Sequence, residues 1–134
     1  MSAVFNTILY YYHSLKPSSE SLADLSSLTR TQIETIKLQQ AASRGEIRVS
    51  DAIKLRTNSP ISKGTHYRIL GQARENVKKS IVTTAIAVQL GIVRPEDLLK
   101  IVESVSKVPL EVDDATLRNV TAIIVALINR IVML

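Results

Sequence analysis

The stretch Gly45–Ser80, GEIRVSDAIKLRTNSPISKGTHYRILGQARENVKKS, decides how this chain is read. Its first glycine follows Arg44 and is suited to ending a helix. Ser50 can cap a short helix over 51–56, with Ala52, Ile53 and Leu55 buried. Thr57-Asn58-Ser59-Pro60 reads as a turn. Ser62 can cap the next helix, its hydroxyl reaching the amide of Gly64 or Thr65. From there His66, Ile69, Leu70, Ala73, Val77 and Ile81 recur at helical spacing and predict an inward face. Positions 64, 67, 68, 71 and 75 form a stripe on the opposite side.

Working upstream, Thr31-x-x-Glu34 has the spacing of a capping box, and Ile33, Ile36, Leu38 and Ala41 give that helix an apolar face. Residues 1–16 read as an apolar helix with Phe5, Ile8, Leu9, Tyr12 and Leu15 on one side. Lys16-Pro17-Ser18-Ser19 breaks it, and a short helix is expected over 20–27. Downstream, the pattern of the central helix runs on through Ala85 and Val88 to Gly91, as one long helix or with a bend near Ser80. Arg94-Pro95-Glu96-Asp97 opens another helix, with proline near its first position and acids facing the dipole. It stops before Pro109, and Asp113 or Asp114 caps a last one. The expected fold is all-α. A helix-turn-helix core over 29–93 follows an N-terminal helical segment over 1–28 and precedes a C-terminal helical extension over 94–134.

Composition narrows the function. Hydrophobic residues make up 46 % of 134, enough for an aliphatic core. With no cysteine, a disulfide framework, a thiol nucleophile and a thiolate zinc site are excluded. The apolar run near the N-terminus lacks a basic flank and a cleavage pattern, so no signal peptide is expected. Arg118, Asn119, Thr121, Asn129 and Arg130 interrupt the apolar C-terminal run, so no membrane span is expected, and the reading is cytoplasmic. The net charge is +5. Residues 29–80 hold eleven Lys and Arg against four Asp and Glu, so the positive excess sits in the middle of the chain and favours a polyanionic partner.

Ile61-Ser62-Lys63-Gly64-Thr65 followed by Ala73-Arg74-Glu75 resembles the helix-turn-helix of sigma-factor region 4 and related prokaryotic and archaeal regulators. The likeness covers about a quarter of the chain, residues 45–80. An apolar residue usually stands where this chain has His66, and the usual turn is shorter than 57–61. The resemblance implies a DNA-reading helix, with His66, Ile69, Ala73 and Val77 at its core positions and Lys63, Gly64, Tyr67 and Arg68 at its base-reading positions.

The chemistry of the residues agrees with a duplex partner. Arg68 can fork onto a guanine edge, and Gln72 or Asn58 onto an adenine edge. Arg48, Arg56, Arg74, Lys78 and Lys79 suit phosphates, which position without reading sequence. Ser62 and Thr65 can bond phosphate at the helix N-terminus. Gly64 and Gly71 both fall on the outward stripe, although glycine inside a helix costs about 1 kcal/mol against alanine. Either the backbone approaches a groove, or another helix of this chain packs closely there. No nucleophile with a base, paired carboxylates or phosphate loop is present, so no enzyme is expected. No metal or cofactor is expected either, and His66 reads as a core histidine.

Leu117, Val120, Ile124, Leu127, Ile131 and Leu134 make the last helix apolar nearly all round, together with Ile123, Val125, Ile128 and Val132. It predicts either a central core helix or a homodimer formed by helices 95–106 and 114–134. The leading expectation is a transcriptional regulator on double-stranded DNA. The alternative is an accessory subunit of a replication or transcription complex that touches DNA non-specifically. Single-strand binding through Tyr10-Tyr11-Tyr12 ranks last, because Tyr67 is the one aromatic residue within the basic segment.

Overall fold

In the computed structural model, which describes residues 22–56, 61–108 and 113–134, every regular element is a helix. The elements are α1 (Leu22–Leu25), α2 (Arg30–Ser43), α3 (Val49–Lys54), α4 (Lys63–Gln89), α5 (Pro95–Ser106) and α6 (Asp114–Ile131). The helix expected over 1–16, the tyrosine run within it and Asn58 lie outside the described residues.

Helix ends follow local chemistry. The start of α2 lies at Thr29, two residues before the expected box. Thr29 is extended, its hydroxyl accepts from the Gln32 amide at 3.1 Å, and Gln32 Oε1 accepts from the Thr29 amide at 3.1 Å. A capping box therefore forms on Thr29-x-x-Gln32 instead of Thr31-x-x-Glu34, with the spacing predicted. At the other end Gly45 takes φ 74°, and the amides of Gly45 and Glu46 donate back to the carbonyls of Ala42 and Ala41. Gly91 closes α4 in the same way, with φ 75° and the amides of Gly91 and Ile92 donating to Val88 and Ala87. Both are Schellman stops, which need a left-handed residue.

Three other ends were legible in the sequence. Ser62 Oγ accepts from the Thr65 amide at 3.1 Å, Pro95 opens α5, and Asp113 caps α6 through the Thr116 amide at 2.6 Å. Helix α3 differs. It starts at Val49 with Arg48 in the cap position, and no side chain caps it, so Ser50 does not play that part. Helix α4 continues through Ser80 without interruption.

The described residues form two compact units, 26–77 and 78–134 with 22–25. The division falls inside α4. Residues 26–77 hold nine Lys and Arg against four Asp and Glu, a net +5. Residues 78–134 hold seven Lys and Arg against six Asp and Glu, so the positive excess lies in the first unit.

In the first unit α2 and α3 pack on each other across the short turn at 44–48. The buried apolar residues are Leu38, Ala41, Ala52, Ile53 and Ala73. Gln32, Glu34, Thr35, Arg56 and His66 are buried with them, so much of this core is polar. In the second unit α5 packs on α6 around Val93, Thr121 and Ile124, and Asp97 is buried between its exposed neighbours Arg94 and Lys100. Among the described residues no helix is long and apolar enough to cross a membrane.

Candidate nucleic-acid interface

Helix α4 begins with a bonded N-terminus. Ser62 Oγ takes the Thr65 amide and shares a hydroxyl contact with Thr65 Oγ1 at 3.0 Å, while the His66 amide donates to the Ser62 carbonyl. This fixes the first turn and sets the rotation of everything after it.

The inward side of that rotation is carried by His66 and Ala73, both buried, with Ile69 and Leu70 half-buried beside them. Val77 was expected here and is instead 41 % exposed, and Ile81 is 64 % exposed. The apolar periodicity continues past residue 76, but the core of the first unit does not. Asn76 ends the docked part of α4, its amide donating to Gln32 Oε1 at 3.0 Å.

The outward side carries most of the expected contacts. Lys63, Gly64, Tyr67, Arg68, Gln72 and Arg74 are all exposed, and Thr65 is half-buried. Lys78 and Lys79 are exposed on the continuation of α4 in the second unit. Tyr67 stands edge-on to the His66 ring, with centroids 5.3 Å apart, so the buried histidine holds the base of the exposed phenol. A methyl group added at Gly71 would meet nothing within 4 Å, and one at Gly64 would meet Ser62 Oγ at an ordinary 3.8 Å. Among the described residues, close packing by another part of this chain therefore does not account for Gly71.

Two expected contacts lie elsewhere. Arg48 is exposed at the start of α3 rather than on α4. Arg56 is a correction: it is 8 % exposed, and its Nη1 donates to Thr35 Oγ1 at 2.8 Å. Thr35 in turn donates to the Thr31 carbonyl at 2.8 Å. An arginine held this way supports the fold and is withdrawn from any phosphate.

His66 was expected in the core and is buried there, whereas the polar residues that meet α4 and Arg56 from α2, Gln32, Gln39 and Thr35, were missed because they are polar. His66 Nε2 lies 3.0 Å from Gln39 Oε1, and its Nδ1, like the Nε of Arg56, has no hydrogen-bond partner among the described residues. Burial and the nearby Arg56 charge both hold the His66 ring below its ordinary pKa, so it is neutral in the fold. A threonine in the middle of α2, able to bond back to its own helix, was the only available signal for Thr35.

No protein-family model, curated protein or solved structure matches this chain. Among the described residues no group of three or more His, Asp or Glu could hold a metal ion.

Proposed function

We infer that this protein binds double-stranded DNA through the outward face of α4 and acts as a transcriptional regulator without catalysis. One observation carries the reading. The exposed side of a firmly anchored helix presents Lys63, Tyr67, Arg68, Gln72 and Arg74 against a single carboxylate, Glu75, and among the described residues Gly71 has open space above it. Cations on a helix that fits the major groove meet the demands of a duplex. Lys78 and Lys79 extend the charge along the same helix.

The order α2, α3, α4 supports a helix-turn-helix with α4 as the reading element. The connection from α3 to α4 spans 55–62, longer than the tight turn of the sigma-factor region 4 pattern. Arg68 and Gln72 are the proposed base-reading side chains. Lys63, Arg74, Lys78, Lys79 and Arg48 are the proposed phosphate contacts, with Ser62 and Thr65 at the helix start.

Duplex titration at several salt concentrations tests the reading, with random-duplex selection for a preferred site. Binding should weaken steeply with salt, and the double variant Tyr67→Ala with Arg68→Ala should lose affinity while keeping its helical circular dichroism. Removing Lys63 should lower the salt slope by about 1. Unchanged affinity in the double variant removes α4 as the reading element. Tight binding without an enriched site favours the second reading, an accessory subunit with non-specific DNA contact.

A further inference from the structure

We propose that His66 is an acid-sensitive latch: a second proton on its ring frees the first half of α4, residues 63–76, from α2 and weakens duplex binding. This regulation presupposes the DNA-binding role of α4. Helix α4 buries just two of its 27 residues, His66 and Ala73. Alanine offers one methyl group, so the histidine is the large side chain that seats the helix in the core. Tyr67 and Arg68 follow it directly, and whatever moves the ring moves them.

The seat accepts only the neutral ring. Nε2 lies 3.0 Å from Gln39 Oε1, and Nδ1 is shut off from solvent with no hydrogen-bond partner among the described residues. In the neutral ring Nε2 donates to the amide oxygen and Nδ1 presents a lone pair. A second proton turns Nδ1 into a buried donor with nothing there to accept it. The surrounding charge opposes that proton too. Arg56, just after α3, is buried, and its charge acts on the ring. Its Nη1 donates to Thr35, one turn before Gln39 on the same side of α2. Glu34 and Lys37 lie about 140° and about 160° round α2 from Gln39, so the Glu34 carboxylate is set away from that side. Asp51 and Lys54 of α3 and Lys63 of α4 are exposed, and residues 57–60 include no charged type.

Release is local. Helices α2 and α3 pack on each other across their own turn, and α4 beyond Val77 belongs to the second unit. A histidine in water titrates near 6.5, so the freed state gains at most about tenfold over the seated one at pH 5.5 and about thirtyfold at pH 5. The sign is diagnostic. Added protons ordinarily make a protein more cationic and tighten its hold on a polyanion. Here acid loosens it.

Two measurements on the full chain test the latch, one of them without DNA. Amide hydrogen exchange from pH 7.5 to 5, corrected for its intrinsic pH dependence, should show residues 63–76 losing protection relative to α2. The loss should be absent in His66→Gln, whose side-chain amide can still donate to Gln39. Affinity for one fixed duplex at constant ionic strength should fall several-fold over the same range in the wild type and hold or rise in the variant. His13, the second histidine, is common to both proteins, so the difference belongs to His66. Gln39→Glu sets a carboxylate against the ring and should abolish the acid effect by giving the charged ring a partner. Protection over 63–76 that does not change, that falls together with α2, or that falls equally in His66→Gln overturns the latch. An undiminished acid effect in Gln39→Glu, or a wild-type affinity that tracks His66→Gln at every pH, overturns it as well. Acid release in a chain that binds no duplex at any pH leaves the latch standing and removes the DNA reading, so the two fail separately.

Discussion

Nε2 of His66 lies 3.0 Å from Oε1 of Gln39, and this bond ties α4 to α2 inside the core of the first unit. An amide oxygen only accepts, so with Oε1 facing it the ring nitrogen carries the hydrogen. Gln39→Leu leaves that N–H buried without an acceptor. The variant should lose about 1–3 kcal/mol in urea unfolding. A loss near zero shows that the contact does not anchor α4.

The same histidine sets a pH dependence. Its folded pKa lies below the ordinary 6.5, chiefly from burial and then from Arg56. The unfolded chain then binds more protons at this site than the folded one in the window below about 6.5. The stability that neutral His66 contributes is present in full above that value and is lost as pH falls toward the folded pKa. Thermal midpoints measured from pH 7.5 to 5 should fall more steeply for the wild type than for His66→Gln. Parallel curves would place the acid sensitivity elsewhere.

Arg56 and Thr35 predict a separation of stability from binding. Thr35→Val keeps the side-chain shape and removes the acceptor that Arg56 Nη1 uses at 2.8 Å. Leaving that charged donor partnerless should cost about 1–3 kcal/mol in chemical denaturation. Duplex affinity at a temperature where the variant is folded should match the wild type. A weakened affinity with unchanged stability would return Arg56 to the DNA surface.

Two glycine-to-alanine changes should have opposite signs. Gly45 sits at φ 74°, so Gly45→Ala should destabilise by about 1–2 kcal/mol although no atom obstructs it. Gly71 lies within a regular helix with open space above it, so Gly71→Ala should stabilise by about 1 kcal/mol. Differential scanning calorimetry reads both. In duplex titration Gly71→Ala should bind more weakly, because the added methyl group faces the groove. Equal or tighter binding rules out close approach of the backbone at that position.

Helix existence was legible in the sequence wherever punctuation was strong. Gly45, Ser62, Gly91, Pro95 and Asp113 mark real ends, because each residue type solves a specific backbone problem there. The start of α2 was displaced because Thr29-x-x-Gln32 and Thr31-x-x-Glu34 share a spacing, and only backbone geometry distinguishes them. The inward side of α2 was harder to read. Ile33 and Ile36 are only half-buried, whereas Gln32 and Thr35 are buried, since arginine and asparagine from elsewhere in the unit satisfy them. Periodicity registers hydrophobicity and does not register a polar group that has found its partner.

The candidate site followed the same division. The outward stripe of α4 was legible, because exposure opposite a helical core is simple arithmetic. Arg56 was not, since a basic residue near a motif looks the same in sequence whether it points out or in. Val77 and Ile81 were placed inward because one apolar period runs through them. That period belongs first to the core of the first unit, and beyond Asn76 to a surface the chain's own described residues leave open.

Gln32 Oε1 accepts two hydrogen bonds at once, from the Thr29 amide that starts α2 and from the Asn76 side chain of α4. The first turn of one helix and the seating of another thus share a single atom. Helix ends ordinarily exchange their amide hydrogens quickly by fraying. Here the Thr29 amide should open only when α4 lifts away. Its exchange rate would then report the breathing of α4 against α2.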